Sequence, residues 1–179
     1  MKVIKTIALI FAALVISVFI YSFFLPSEYI IERKIRIIAD KQIVLQYINN
    51  LRLWQEWSTW TNKLDSTIKF SYKGPEAGTG STQLWDSKRM GKGYIKIIKS
   101  TDINSIEYLL NMDDNISNGK FLLKQNQLGT VIKWEVKGNV GWNPIAKIFS
   151  YFYMDSFMGP DLERALKNLK ILIENRNQV

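Results

Sequence analysis

The sequence predicts an α+β protein in which an antiparallel sheet of about seven strands packs around a long C-terminal helix. Three observations carry this prediction. Residues 159–174 have the clearest amphipathic helical pattern, short segments of alternating apolar residues precede them, and residues 6–25 form an uncharged apolar run. Because the strands follow one another through short connections, they form hairpins, which makes the sheet antiparallel. The chain of 179 residues has room for one such domain and one appendage.

The N-terminal apolar run is long enough to cross a membrane. A helix of about 20 residues spans a hydrocarbon core of ~30 Å, and residues 6–25 carry no charge. The apolar part of a cleaved signal peptide usually has only about 7–15 residues, followed by a small-residue cleavage site, and residues 21–26 offer a poor one. We therefore favour a retained transmembrane anchor, residues 1–26, over a cleaved signal peptide, and expect one domain at residues 27–179.

Charges beside the span predict its orientation. Lys2 and Lys5 precede it, so the positive-inside rule places the N-terminus in the cytoplasm and the domain on the extracytoplasmic side. Arg33, Lys34 and Arg36 follow closely and favour the opposite orientation. The formal net charge of +8 favours contact with anionic lipid head groups. Basic residues are scattered and no nucleic-acid-binding motif is visible, so no nucleic acid is expected as a partner.

The chain contains neither Cys nor His. This excludes disulfides, thiolate metal sites and cysteine nucleophiles, and it removes the commonest general base and metal ligand. We therefore expect no metal and no cofactor, and we assign no catalytic residue.

After the anchor, the first elements are one strand and two short helices. Residues 29–38 alternate as a strand, and Asp40 is placed to cap the helix that follows. Trp54, Trp57 and Trp60 recur at a spacing of three, which places the indoles on one side of a second short helix or the turn after it. There they are expected to close one end of the sheet.

Six further strands are predicted between residues 68 and 137. Their centres lie at residues 68–73, 83–86, 94–99, 106–112, 121–123 and 131–137. The glycine-rich residues 74–80 form a connection rather than a phosphate site, because no Lys-Ser/Thr pair or helix start follows them. Asp113 and Asp114 stand beside Asn115 and Ser117, which favours a turn over a paired-carboxylate site.

Two helical segments complete the chain. Asn143 and Pro144 suit the start of a helix that is apolar on more than one side. Pro160 is expected to kink or break this segment away from the amphipathic helix of residues 159–174. The first segment is either a lid packed on the sheet edge or a portal that dips into the bilayer interface through Phe149, Phe152 and Tyr153.

Several of these stretches resemble the SRPBCC or START-like superfamily, within its polyketide cyclase/dehydrase and lipid-transport group. The resemblance extends from about residue 29 to residue 174. It rests on Trp-Gln-Glu-Trp-Ser-Thr-Trp at 54–60, the glycine-rich residues 74–80, Trp85, and Met-Gly-Pro-Asp-Leu-Glu at 158–163 with Leu166 and Leu169. It implies a helix-grip fold, in which a curved sheet grips the C-terminal helix around an apolar cavity that holds a hydrophobic small molecule or lipid.

Alternation along the strands and the helix then selects candidate residues for the ligand pocket. They are the inward-facing aromatic residues of the strands and three leucines of the final helix: Phe70, Tyr72, Trp85, Tyr108, Phe121, Trp134, Leu162, Leu166 and Leu169. The same residues also suit a filled core.

Three functions remain open at this stage. The first is membrane-anchored binding or transport of a hydrophobic small molecule or lipid. The second is a cyclase or aromatase type of enzyme, which would need an acid or base in the cavity; Glu107 and Glu135 alternate towards solvent, as Asp86 does if Trp85 faces inward. The third is a membrane-tethered interaction module without a ligand. The oligomeric state stays open.

Overall fold

A computed structural model describes residues 2–176 and contains four helices and seven strands in this range. In chain order the elements are α1 (Lys2–Phe24), β1 (Glu28–Ile37), α2 (Lys41–Asn49), α3 (Trp54–Trp57), β2 (Lys69–Lys73), β3 (Thr82–Ser87), β4 (Gly91–Asp102), β5 (Ser105–Met112), β6 (Asn115–Asn126), β7 (Gly129–Asn139) and α4 (Pro144–Arg176). The predicted α+β architecture is confirmed.

The strands form one antiparallel sheet in the order β1-β7-β6-β5-β4-β3-β2. Strands β2 to β7 are joined in sequence as hairpins, and β1 closes against β7. Asp113 and Asp114 form the two-residue turn between β5 and β6, and both have positive φ, 46° and 67°. This is the backbone of a hairpin turn that matches the twist of its strands, so the interpretation of the two aspartates as a turn is confirmed.

One face of the sheet is buried and the other is charged. In β7, Ile132, Trp134 and Val136 are buried, while Lys133 and Glu135 point outward and pair with each other. Lys133 also pairs with Glu32 of β1 at 2.6 Å. Because only one face is apolar, helices cover that face alone.

Helix α4 lies along the inner face and continues further than the sequence predicts. It has 33 residues and includes Pro160, so the expected break into two helices is wrong, and the alternative, a kink at Pro160 within one helix, stays a prediction. Gly159 precedes the proline, and a Cβ there would lie closer than 3.0 Å to the Arg33 guanidinium of β1. Arg33 in turn binds Asp155 at 2.8 Å. We attribute the continuity of the helix to this packing against β1, which outweighs the missing hydrogen bond of Pro160.

Helix α1 extends away from the domain. It is the one helix within residues 2–176 that is long and apolar enough to cross a membrane, judged by length and composition. Its C-terminal end contacts α4: Ser22 is buried, and the buried Lys147 places Nζ 3.5 Å from the Phe23 carbonyl oxygen. Lys147 therefore caps the end of α1 with a positive charge, which suits the negative end of a helix dipole.

Three aromatic rings of the inner face each cover a glycine on the neighbouring strand. The register pairs Tyr29 with Gly138, Trp85 with Gly93 and Tyr108 with Gly119. A Cβ on any of these glycines would lie closer than 3.0 Å to the opposite ring. Because glycine has no Cβ, the large rings can lie flat on the sheet beneath the helices.

Candidate ligand-binding site

An apolar cavity lies between the sheet, the segment around α3, and the middle of α4. Its volume is about 50 Å³. Strands β2 to β5 and β7 form its floor, and Met158, Asp161 and Leu162 of α4 cross above it. The complete lining is Trp54, Ser58, Thr59, Trp60, Ile68, Phe70, Gln83, Trp85, Met90, Ile95, Tyr108, Leu110, Met112, Trp134, Val136, Met158, Asp161 and Leu162.

A cluster of five buried aromatic residues borders the cavity, and three of them, Trp54, Tyr108 and Trp134, line it. It consists of Trp54, Trp57, Tyr108, Phe121 and Trp134, with neighbouring ring centroids 4.8–6.4 Å apart. Trp134 Nε1 donates to the Tyr108 hydroxyl at 2.7 Å, and Trp54 Nε1 donates to the Ile48 carbonyl at 2.9 Å. Burial raises the pKa of Tyr108 well above its usual value, so its hydroxyl stays neutral. This cluster is rigid and uncharged.

The opposite side of the cavity is lined by flexible side chains. Met90, Met112 and Met158 are each partly buried there, and Trp60 packs at 5.8 Å against Trp85. Methionine has an unbranched side chain that adapts to irregular shapes. Because these three residues come from different elements, their side chains can rearrange without a change of backbone. This side is the adjustable end of the cavity.

Gln83 is the buried polar side chain of the cavity floor. It lies on β3 two residues before Trp85, with which it shares the inner face, and it is only 3% exposed. Its neighbours in register are Tyr72 and Ile95. Within residues 2–176 its side-chain amide forms no hydrogen bond. The amide borders the cavity, whereas the fully buried side-chain atom without a partner in the described residues is Gln55 Nε2.

The second polar group is the Asp161 carboxylate on α4. Its side chain is 42% exposed, and Arg164 lies 3.9 Å away. Ser58 and Thr59, which are partly exposed, also border the cavity. These groups mark the side of the cavity that reaches solvent, whereas Gln83 lies inside.

The volume of the cavity sets a limit on what it holds without rearrangement. Pockets for drug-sized ligands typically measure about 300–1,000 Å³, whereas this cavity measures about 50 Å³. It accommodates a small group as it stands. A larger ligand has to displace side chains, and the three methionines are the ones best suited to move.

The structure brings together five of the nine residues proposed from the sequence to contact ligand. Those that line the cavity are Phe70, Trp85, Tyr108, Trp134 and Leu162. The other four lie outside its lining: Phe121, Leu166 and Leu169 are buried in the core, and Tyr72 lies on the edge strand β2 under the Arg52 guanidinium, 4.4 Å from the ring centre. Ligand contact stays a prediction for all nine.

The three proposed portal residues lie on the N-terminal half of α4. Phe149, Phe152 and Tyr153 are 42%, 55% and 59% exposed. They precede Met158 by five to nine residues, or roughly 8–14 Å along the helix. Further exposed apolar side chains surround them, namely Trp142, Ile145, Tyr151 and Phe157. We call these seven residues the aromatic surface of α4. Five of its residues, 149, 151, 152, 153 and 157, lie along α4 between Lys147, which contacts α1, and Met158, which lines the cavity.

The acidic residues weighed for catalysis point away from the cavity. Glu107 pairs with Lys120 at 2.9 Å, Glu135 with Lys133 at 3.3 Å and Asp86 with Lys92 at 3.1 Å, all on the outer face. In the described part of the chain, no group of three acidic residues is arranged to hold a metal ion.

Sequence reasoning missed Gln83, Asp161 and the three methionines as cavity residues. Alternation places Gln83 on the face of Trp85, but a polar side chain on an inward face gives no signal for a ligand site by itself. Asp161 gives no signal for a cavity position, because acidic residues are common near the starts of helical patterns. The methionines carry no local pattern, since their meeting point depends on the tertiary fold.

A wider depression lies on the outer face of β2 to β5. Its volume is about 930 Å³, and Lys69, Asp86 and Lys92 are among its lining residues. It is an open, mixed-polarity hollow of the twisted sheet. Ligand sites are typically enclosed and mostly apolar, so the smaller inner cavity is the better candidate.

Together, the sheet, the gripped helix and the cavity define a helix-grip protein. No protein-family model matches the chain, and no curated protein matches it either. Solved structures do match, and eight of them are 9–16% identical to this chain, which establishes similarity of fold.

Three of these structures illustrate the similarity. A Staphylococcus aureus protein of unknown function has a TM-score of 0.63 at 14% identity, covering 85% of this chain and 97% of that one. A point mutant of norcoclaurine synthase from Thalictrum flavum, bound to a transition-state analogue, has a TM-score of 0.61 at 11% identity, covering 84% and 96%. The Aha1 dimer of Colwellia psychrerythraea has a TM-score of 0.57 at 16% identity, covering 81% and 96%. Membership of the SRPBCC or START-like superfamily stays a prediction.

Proposed function

We propose that this protein is a membrane-anchored binder or carrier of a hydrophobic small molecule or lipid. The apolar cavity between the sheet and α4 carries the proposal. Its lining is aromatic and aliphatic with few polar groups, which is the composition of sites for apolar ligands. Norcoclaurine synthase has the same fold and holds a transition-state analogue, which illustrates that a helix-grip protein can take a small molecule.

We further propose that α1 is a retained anchor with a cytoplasmic N-terminus. The domain then lies on the extracytoplasmic side, held close to the bilayer by the contact between Lys147 and the end of α1. In this position the aromatic surface of α4 lies at the interface, where Trp, Tyr and Phe are favoured. Phe149, Phe152 and Tyr153 then form a portal through which ligand passes between membrane and cavity.

Native mass spectrometry tests ligand binding directly. The full chain is purified from its own membranes into phosphatidylcholine nanodiscs and released in the instrument. We expect a stoichiometric adduct of a few hundred daltons. Leu162→Trp fills the cavity and should abolish the adduct, whereas Leu122→Trp places the same side chain on the outer face and should preserve it.

The outcome with the two variants separates cavity binding from lipid carry-over. Loss of the adduct in Leu162→Trp alone supports the proposal. An adduct of equal intensity in the wild type, Leu162→Trp and Leu122→Trp would come from lipid bound outside the cavity, and it would refute the proposal. The absence of any adduct, repeated after incubation with mixed lipids, would instead favour the ligand-free interaction module.

Single-site labelling tests the portal. Because the chain has no Cys, Tyr153→Cys introduces one labelling site for an environment-sensitive fluorophore. In nanodiscs that contain spin-labelled lipid, we expect strong quenching at position 153. The matched control is Ile116→Cys, an equally exposed apolar position on the sheet, which should show little quenching. Equal quenching at the two positions would exclude the portal.

A cyclase-type enzyme is the second candidate, because one carboxylate borders the cavity. Asp161 is the only acidic residue in the lining formed by the described residues. An acid or base at that position could act on a ligand held below it. If extraction of the purified protein yields two related ligands, and Asp161→Asn leaves only one of them, the enzyme is favoured over the binder.

A further inference from the structure

The side chain of Gln83 is an unexplained polar group in an otherwise apolar cavity. It is almost fully buried, it lines the cavity, and its amide forms no hydrogen bond within residues 2–176. Buried polar side chains nearly always have a partner, and an exception requires an explanation. The unsatisfied group is not an accident of a crowded core, because it borders empty space.

The neighbours of Gln83 do not supply that partner. Ile95 has no polar side-chain atom, and Trp85 lies two residues along the same strand, stacked against Trp60. Tyr72 is engaged on its other side by Arg52 and Gln55. In the aromatic cluster, the indole donors of Trp54, Trp57 and Trp134 already have acceptors. The hydrogen-bonding groups of Gln83 are therefore directed at whatever fills the cavity, either water or a ligand.

We propose that Gln83 orients the ligand by a paired hydrogen bond to a neutral polar group. This inference rests on the proposed ligand-binding function. A glutamine amide presents one acceptor oxygen and one donor nitrogen side by side. The complementary group offers a donor next to an acceptor, as a carboxamide or an undissociated carboxylic acid does.

The charge of the surroundings restricts the ligand further. No cationic side chain lines the cavity in the described structure, and its one carboxylate is at the solvent side. A buried charge without a counterion is strongly disfavoured. The inner end of the ligand is consequently neutral. The ligand class is an apolar molecule with an amide-like group at the end that enters first, and its apolar remainder lies against Trp60 and the methionines.

Two probes of the same shape test this assignment. Benzamide carries the complementary amide, and α-methylstyrene replaces it with two carbon groups of similar size. Binding to the full chain in phosphatidylcholine nanodiscs is measured by the change in tryptophan fluorescence and corrected with empty nanodiscs. The comparison variant is Gln83→Met, which keeps the length of the side chain and removes its hydrogen bonds. The side-chain NH₂ resonances of Gln83, identified by their loss in this variant, give a second measurement.

The expected result is a reversal of preference. The wild type should bind benzamide more tightly, and Gln83→Met should weaken benzamide binding about tenfold, the factor that corresponds to one hydrogen bond in a dry site. Binding of α-methylstyrene should stay unchanged or become tighter. Benzamide, but not α-methylstyrene, should shift the NH₂ resonances of Gln83.

Two other results would overturn the inference in different ways. If both probes bind and Gln83→Met changes neither affinity, Gln83 does not orient the ligand, while binding of apolar molecules in the cavity stands. If neither probe binds to the wild type, the cavity does not accept an amide-bearing molecule of this size and this inference is wrong, whereas the proposed function is judged separately by the adduct in native mass spectrometry.

Discussion

Replacement of Gly119 by Ala should destabilise the protein strongly, because the Tyr108 ring covers this glycine. A Cβ at position 119 would lie closer than 3.0 Å to the ring atoms Cζ, Cε1 and Cε2. The ring cannot move aside freely. It is 2% exposed, its hydroxyl accepts the hydrogen bond of Trp134, and Trp54 and Phe121 pack against it.

The size of the effect follows from what must be displaced. Inserting a methyl group into a packed core costs about 1–3 kcal/mol. If the ring moves, the Trp134 indole loses its acceptor, which adds about 1–3 kcal/mol. Ala is intrinsically more favourable than Gly within a strand, which stabilises the variant by about 0.5–1 kcal/mol. We therefore expect the free energy of unfolding to fall by about 1–5 kcal/mol.

Urea unfolding of the full chain in mild detergent, followed by tryptophan fluorescence, measures this loss. A double-mutant cycle isolates its cause: in the Tyr108→Leu background the clashing ring atoms are absent, so Gly119→Ala should cost less than about 1 kcal/mol. Gly138→Ala is the matched control, since the half-buried Tyr29 that covers it lies on the edge strand and can turn outward. Equal losses for Gly119→Ala in both backgrounds would refute the reasoning.

Four further predictions concern the cavity, the acid response and the membrane. Gln83→Met should raise the free energy of unfolding of the ligand-free protein by about 1 kcal/mol in the same assay, because it removes an unpaired buried amide; a loss would mean that the amide has a partner. Met112→Ile, which stiffens the adjustable end, should weaken binding of a long-chain fatty amide while leaving benzamide binding unchanged; equal effects on both probes would contradict the role of the methionines. The hydroxyls of Ser87 and Thr67 hold the pKa of Asp65 below its usual 3.8. The contribution of the Asp65 carboxylate to stability is therefore complete above about pH 5 and is lost as the pH falls through its folded-state pKa. In Asp65→Asn, the free energy of unfolding should change less between about pH 2 and 4 than it does in the wild type. A reporter fused to the C-terminus should be active only outside the cytoplasm, and activity inside would reverse the proposed orientation.

The sheet could be predicted from the sequence because each strand is marked by a pattern within a few consecutive residues. Alternation at period two identified every strand and the buried face of β7, and the caps at Asp40 and Asn143 marked two helix starts that the structure confirms. The continuity of α4 could not be predicted. It depends on Arg33, which lies more than a hundred residues away and packs against Gly159.

The cavity was harder to predict because it is defined by the space that side chains leave empty. Phe121 and Tyr108 lie on the same face of the sheet, yet only Tyr108 lines the cavity. Likewise, Leu162 and Leu166 lie on the same face of α4, yet only Leu162 lines the cavity. The aromatic cluster fills one half of the space under the helix and stops near Trp134. The edge of the aromatic cluster depends on how all of its side chains pack together, and no local sequence pattern predicts that packing.

The aromatic rings that cover glycines restrict how the sequence of this sheet can evolve. At each pair, the small residue can gain a side chain only after its partner has become smaller, so neither position changes freely alone. In a set of homologous chains, the positions of Tyr29 and Gly138, of Trp85 and Gly93, and of Tyr108 and Gly119 should therefore change together. Such paired changes offer a way to recognise distant relatives when overall identity has fallen too low to align them.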